Sequence, residues 1–210
     1  MAEIPTPAAV PPVRVLVVCT GNICRSPVVE RLLAAELGAG SGPWEGLALA
    51  PGRVQVASAG VGAVVGSAVA PPMAALLSTE GLAADGFVAR QLEPEMLRTA
   101  DLVLTMTRRH RATVVQMAPP AVRRTFTLRE AARLCTTVDP AALPSLAASG
   151  VAGRLRALIP LAAAGRGTVL APAPQADDVV DPYGGDDALY RRAFGELLPA
   201  VRVLGDIVRG

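Results

Sequence analysis

The segment from Cys19 to Pro27, CTGNICRSP, constrains this chain more than any other feature. It follows an apolar, valine-rich run at 13–18 that is too short for a helix and therefore predicts a buried strand. After Pro27, apolar residues recur at helical spacing, which predicts a helix over 27–38. A loop between a strand and a helix N-terminus points its N–H groups and the positive helix dipole at one place. The sequence therefore predicts an anion-binding loop.

Two residues of this loop suggest chemistry. The field that holds an anion also favours a thiolate at Cys19, which a cysteine nucleophile requires. Arg25, six positions later, offers a planar fork for two oxygens of an oxyanion. Ser26 and Pro27 favour a helix start, because the hydroxyl can cap free amides and proline at the first position forfeits no hydrogen bond. A buried core cysteine beside an unrelated surface arginine is the alternative, and the flanking strand and helix argue against it.

The CTGNICRSP segment resembles the signature loop of the low-molecular-weight protein tyrosine phosphatases. That resemblance implies a doubly wound, three-layer α/β sandwich with a small, mostly parallel sheet. Four further segments resemble the family in the same order, so that the match spans most of residues 13 to 208: a second strand and turn at 56–60, the stretch at 88–92, a core strand at 100–106, and the loop of the general acid at 179–185.

The resemblance also implies the roles of the site residues. Cys19 would attack phosphorus and form a phosphocysteine, and Asp181 would protonate the leaving group and later activate water. Asp181 on its own reads as an Asp-Pro turn, and Asp177, Asp178, Asp186 and Asp187 lie close to it in sequence. The phosphate oxygens would be held by the Arg25 side chain and by the loop backbone amides of Thr20, Gly21, Asn22, Ile23, Cys24 and Arg25.

Further residues would support the site. Ser26 would stabilise the thiolate, and Asn22, paired with Ser58, would keep the loop shaped. Cys24 is either the redox partner of Cys19 in a reversible disulfide or simply a small residue facing the loop. The substrate pocket would be walled by Tyr183 and Val64, and the lack of a second aromatic residue at Gly184 and at Val64 predicts a wider pocket.

Composition narrows the classes of function and location. The chain has 210 residues and a net charge of only +2, all of its basic residues being Arg, which gives no argument for nucleic acid. Three cysteines make no disulfide framework, and a reactive thiol needs a reducing compartment, so we expect a cytoplasmic protein. The apolar stretch at 141–174 is broken by arginines and prolines, so we expect no membrane span. We expect no cofactor and no metal, a tyrosine-phosphorylated protein as substrate, and a monomer, although the sequence leaves the oligomeric state open.

The sequence predicts a disordered Ala/Pro-rich tail at 1–12 and one domain at 13–208 with an insertion at about 129–178. This insertion could form a lid or partner surface, or be a tolerated surface excursion. We expect its 165–178 part to be mobile, His110 to be a solvated or capping residue within an arginine-rich helix start, and Cys135 and Met106 to be core residues. Strands are predicted at 54–57, 101–106 and near 125–128, and helices at 71–81, 94–99, 108–117, 130–135, 153–164 and 188–208, the last with Leu189, Phe194, Leu197, Leu198, Val201, Leu204 and Ile207 as its inner face.

Two other functions remain open. A thioredoxin-coupled arsenate reductase shares this fold and a similar anion loop, but it needs two further cysteines to pass a disulfide outward, and only Cys135 is available in the middle of the chain. A noncatalytic oxyanion-binding module would be expected to lose Cys19, Arg25 or Asp181, and all three are present.

Overall fold

Residues 10–45 and 47–210 are described by a computed structural model, so the predicted tail lies outside the described residues as far as residue 9. Its five parallel strands run in the order β2-β3-β1-β4-β5. Helices pack on both faces of the sheet, which confirms the predicted fold class. The strands are β1 Val13–Cys19, β2 Gly40–Ser41, β3 Val54–Gly60, β4 Leu102–Thr105 and β5 Thr125–Thr127; the helices are α1 Arg25–Leu37, α2 Pro71–Thr79, α3 Pro94–Thr99, α4 Arg108–Met117, α5 Leu128–Cys135, α6 Leu146–Ala164 and α7 Asp187–Arg209.

The central strand β1 places Cys19 at the carboxyl edge of the sheet. Successive side chains of a strand point to opposite faces, and here Leu16 and Val18 enter the core beneath α3 and α4. Val15, Val17 and Cys19 enter the larger core under α1, α5, α6 and α7. The cysteine therefore lies at the end of β1 on the α1 side of the sheet, and the carboxyl ends of the strands are where ligands bind in sheets of this kind.

The buried face of α7 differs from the predicted one. Leu189, Leu198 and Ile207 are only partly buried, whereas Ala193, Ala200 and Gly205 are buried, because α7 packs closely against α1 and small residues suit that contact. A methyl group at Gly205 would lie 2.9 Å from the Glu36 side chain, which shows how near the two helices approach. The residues that α7 buries are Tyr190, Ala193, Phe194, Leu197, Ala200, Val201, Leu204, Gly205 and Val208.

The predicted insertion packs as an outer layer of the same α/β unit. The stretch Leu146–Gly167 is long and apolar enough, by length and composition, to cross a membrane. In the fold α6 packs on α5 and α7, and the buried Arg154 donates to the Val208 carbonyl at 2.7 Å. The 165–178 part, expected to be mobile, is instead anchored by an Arg133–Asp177 ion pair of 2.7 Å and by Arg166 stacked on Phe126. Arg133 and Arg166 supply contacts to this segment that the Gly/Pro-rich composition of residues 165–178 does not predict.

Candidate active site

The anion loop, residues 19–25, uses its carbonyl groups in hydrogen bonds to protein amides, whereas among the described residues no amide of residues 20–25 donates to another protein group. Gly60 permits this packing, since a methyl group there would lie 2.3 Å from the Thr20 carbonyl oxygen. The carbonyls accept hydrogen bonds from the 61–70 segment: Val61 to Cys19 at 3.0 Å, Gly62 to Thr20 at 3.1 Å, Val64 to Gly21 at 3.0 Å and Ala70 to Ile23 at 2.7 Å. The free amides form the predicted site for an anion.

A directed set of hydrogen bonds surrounds the buried Cys19 thiol. Its Sγ lies 2.9 Å from Ser26 Oγ, and Asn22 Nδ2 donates to the same hydroxyl oxygen at 2.9 Å. Because an amide nitrogen only donates, the Ser26 oxygen accepts from Asn22 and its proton is free for the sulfur. The expectation that Ser26 caps the helix is wrong: α1 begins at Arg25, Cys24 is the N-cap residue, and no side chain caps it. The amides that a cap would occupy are among those left free for an anion.

Asn22 is held from three sides. It is the one non-glycine residue with positive φ (55°) in the described part of the chain. Its Nδ2 donates to Ser58 Oγ at 2.9 Å, which is the expected pairing, and its Oδ1 accepts from the Arg90 amide at 2.9 Å. Ser58 in turn donates to the buried Glu30 carboxylate at 2.6 Å. Sequence reasoning missed the roles of Glu30 and Arg90. The helical pattern places Glu30 on the polar side of α1, and Arg90 was noticed only as part of the 88–92 segment that resembles the family.

Arg25 and Asp181 meet at the mouth of the loop. Arg25 Nη2 lies 2.6 Å from Asp181 Oδ2, and Arg25 is 3% exposed whereas Asp181 is 52% exposed. The guanidinium also donates to the Val179 carbonyl at 3.3 Å. The competing aspartates near Asp181 are engaged elsewhere: Asp178 with Arg108, Asp177 with Arg133, and Asp186 as the N-cap of α7, while Asp187 lies in the first turn of that helix.

A pocket of about 170 Å³ opens at this point. Tyr183 and Val64 stand at its rim, 69% and 44% exposed. Burial raises the pKa of Cys24 to about 11 and that of Cys135 to about 12, and Cys135 lies in the core, as expected. No residue of the 129–178 segment lines the pocket, which is formed by Cys19, Thr20, Gly21, Ile23, Cys24, Arg25, Gly62, Val64, Asp181 and Tyr183.

His110 lies in a different environment from the one expected. It is 6% exposed, so the interpretation as a solvated residue is wrong. Its Nε2 lies 2.9 Å from Thr20 Oγ1, and its Nδ1 lies 2.9 Å from the hydroxyl of Thr107, the N-cap residue of α4. Burial and the nearby Arg25 charge lower the pKa of His110 to about 4. Of the arginines beside it, Arg108 and Arg109 are exposed, with Arg108 paired to Asp178 at 3.0 Å, whereas Arg111 is partly buried.

The family model described as low molecular weight phosphotyrosine protein phosphatase matches residues 14–140 of this chain. The chain belongs to this family. The matched region of this family member contains the anion loop, Ser58 and His110, whereas Asp181 lies beyond it.

Relatives and solved structures agree with this assignment. The protein is 40% identical over 106 residues to the low molecular weight protein-tyrosine-phosphatase Wzb of Salmonella typhi, covering 50% of this chain and 62% of Wzb. It is 32% identical over 186 residues to a protein-arginine-phosphatase of Geobacillus stearothermophilus, covering 89% of each chain. The structure of the arginine phosphatase YwlE from the same organism has a TM-score of 0.60 at 28% identity, covering 93% of this chain and 92% of that one. The tyrosine phosphatase AmsI of Erwinia amylovora shares the fold, with a TM-score of 0.61 at 23% identity over 92% and 91% of the chains.

Proposed function

We propose that this protein removes phosphate from phosphotyrosine in proteins through a phosphocysteine intermediate. The proposal rests on one observation: a buried thiol, an arginine fork, unpaired loop amides and an exposed carboxylate converge on a single pocket. A thiol alone would suit a redox protein and an amide loop alone an anion carrier. The combination suits transfer of a phosphoryl group from an ester oxygen to sulfur.

In the first step, the Cys19 thiolate attacks phosphorus opposite the leaving oxygen. The S–P bond forms as the P–O bond breaks, and Asp181 gives its proton to the departing phenolate. Arg25 and the loop amides hold the equatorial oxygens, where charge develops in the transition state. The 2.6 Å contact between Arg25 and Asp181 supports the role of Asp181 as the acid. It keeps the carboxyl group at the mouth of the pocket, where the leaving group departs.

In the second step, water attacks phosphorus and Asp181 takes the proton that water loses. The S–P bond breaks, inorganic phosphate leaves, and the Cys19 thiolate is restored. Ser26 stabilises that thiolate as the leaving group, because its hydroxyl proton is the one directed at the sulfur. All atoms come from substrate and water, so the cycle needs no cofactor.

Phosphoarginine in proteins is the second candidate substrate. A protein-arginine-phosphatase is similar to 89% of this chain, whereas the similarity to Wzb covers 50% of it. An exposed carboxylate such as Asp181 could serve either leaving group, an oxygen or a guanidinium nitrogen. Arsenate reduction has weaker support, because Cys135 is buried in the core and no second relay cysteine exists.

Assays with matched variants test the proposal. The full chain should release phosphate from a phosphotyrosine peptide faster than from the same peptide with phosphoarginine. Cys19→Ser should abolish release while still binding phosphate in calorimetry, and Cys135→Ala, which removes a thiol outside the pocket, should keep turnover. Faster release from phosphoarginine would replace the first substrate with the second. Retained turnover in Cys19→Ser would refute the nucleophile assignment.

The proposed partner is therefore a phosphorylated protein, and the proposed location is a reducing compartment such as the cytoplasm. Cys19, Cys24 and Cys135 are free thiols in the structure, and a nucleophile lost to a disulfide would be inactive. The domain bounds, the monomeric state and a protective Cys19–Cys24 disulfide stay predictions.

A further inference from the structure

His110 links helix α4 to the anion loop. It lies in the first turn of α4, and its ring reaches across to Thr20, the residue after the nucleophile. Thr20 is exposed and lines the pocket with Cys19 and Arg25. A buried imidazole with both nitrogens hydrogen-bonded is fixed in orientation, and it can fix the hydroxyl that it contacts.

The donors and acceptors around the ring favour one arrangement of protons. Thr107 Oγ1 accepts from the His110 amide at 3.2 Å as the helix cap, and its own proton can then go to Nδ1. Nε2 of the neutral ring then carries the proton and donates to Thr20 Oγ1. The Thr20 hydroxyl proton is left over, beside a pocket built for an anion.

The opposite arrangement would use that proton differently. If Nδ1 donated to Thr107, Nε2 would carry no proton and would accept the hydroxyl proton of Thr20. The hydroxyl proton without a partner would then be that of Thr107. A hydrogen bond to a charged oxygen is about twice as strong as one between neutral groups, so an anion in the pocket selects the first arrangement.

We propose that His110 is a positioning residue that orients the Thr20 hydroxyl to donate a hydrogen bond to an oxygen of the bound phosphoryl group. This inference rests on the proposed function, in which the pocket takes a phosphoryl group. The Thr20 hydroxyl adds a side-chain donor to the loop amides and the Arg25 fork. His110 acts through Thr20 and does not touch the substrate.

Two amide substitutions at His110 separate this role from simple packing. His110→Gln can place an amide nitrogen near the Nε2 position and so keep a donor for Thr20. His110→Asn is shorter, can reach only Thr107, and loses Thr20. Inorganic phosphate binding to the full chain, measured by calorimetry, should weaken by about tenfold in His110→Asn and in Thr20→Val, the usual worth of one hydrogen bond. His110→Gln and Thr20→Ser should stay within about threefold of the parent.

The double variant Thr20→Val with His110→Asn decides how the two residues act. Since His110 works through Thr20, the double variant should bind phosphate no more weakly than Thr20→Val alone. Additive losses, or an unchanged affinity in His110→Asn, would overturn the inference. If His110→Asn does not fold, as judged by thermal unfolding, Thr20→Val against Thr20→Ser still tests it, and equal affinities would refute it.

Turnover keeps this test distinct from that of the proposed function. A protein that binds phosphate in a Thr20-dependent way but hydrolyses no phosphotyrosine or phosphoarginine peptide would refute the function and keep the positioning role. Normal hydrolysis, with a phosphate affinity that does not change in the Thr20 and His110 variants, would keep the proposed function and refute the positioning role.

Discussion

Replacing Asp181 with asparagine should slow catalysis and at the same time tighten anion binding. The carboxylate lies 2.6 Å from Arg25, the residue that an incoming oxyanion must also contact. Asp181 therefore competes with the anion for the guanidinium and repels it by charge. Asparagine keeps the size of the side chain and removes the charge repulsion. It competes less strongly for the guanidinium, because its amide oxygen is a neutral acceptor, but it cannot give up a proton.

The gain in phosphate affinity and the loss of turnover have separate causes. Two unit charges 4 Å apart interact by about 4 kcal/mol near a protein surface and about 1 kcal/mol in water. Asp181 is half exposed, so the lower figure applies. Its loss should tighten phosphate binding by about fivefold. General-acid assistance is worth about 10²- to 10⁴-fold, so turnover of a phosphotyrosine peptide should fall by a large part of that range.

The assay compares two substrates and two variants. An activated leaving group such as p-nitrophenol needs less protonation, so Asp181→Asn should slow it far less than phosphotyrosine, and the basic limb of the pH profile should flatten. Asp186→Asn is the matched control, because it removes the same charge from a nearby position and asparagine still caps α7. It should match the parent in both measurements.

Two results would refute this reasoning. Equal slowing of both substrates with an intact basic limb would leave Asp181 as a turn-shaping residue only. Unchanged or weaker phosphate binding in Asp181→Asn would mean that the ion pair with Arg25 does not oppose the anion.

Three further predictions follow from the same geometry. Arg25→Lys keeps the charge but loses the fork, so kcat should fall by about 100-fold or more, and a near-normal rate would place the guanidinium outside the reaction. The pKa of His110 is lowered from 6.5 to about 4, so the unfolded chain binds the extra proton between these values and stability should decline as the pH falls through that window; urea unfolding should show a flatter decline in His110→Gln. Burial raises the pKa of Cys24 and Cys135 to about 11 and 12, so both stay thiols at neutral pH; iodoacetamide should label Cys19 first and phosphate should protect it, as mass spectrometry can check.

Sequence patterns predicted the features that depend on neighbouring residues in the chain. The strand, loop and helix around Cys19 follow from residues adjacent in sequence, and α4 has its predicted bounds of 108–117. Asp181 could be chosen among five aspartates only through the family resemblance, since its ion pair with Arg25 joins positions 156 residues apart (181 − 25). His110 was misjudged for the same reason: Thr20, whose hydroxyl its ring contacts, lies 90 positions away.

The hydrogen-bonded carbonyls of the anion loop have a consequence for how specificity can change. Their four partners are main-chain amides of the 61–70 segment, so the bonds do not depend on which side chains that segment carries. Val64 contributes its amide to the loop and its side chain to the pocket rim. Exchange of that side chain can therefore alter which leaving group fits while the grip on the phosphoryl group persists, and only proline, which lacks the N–H, would disturb both.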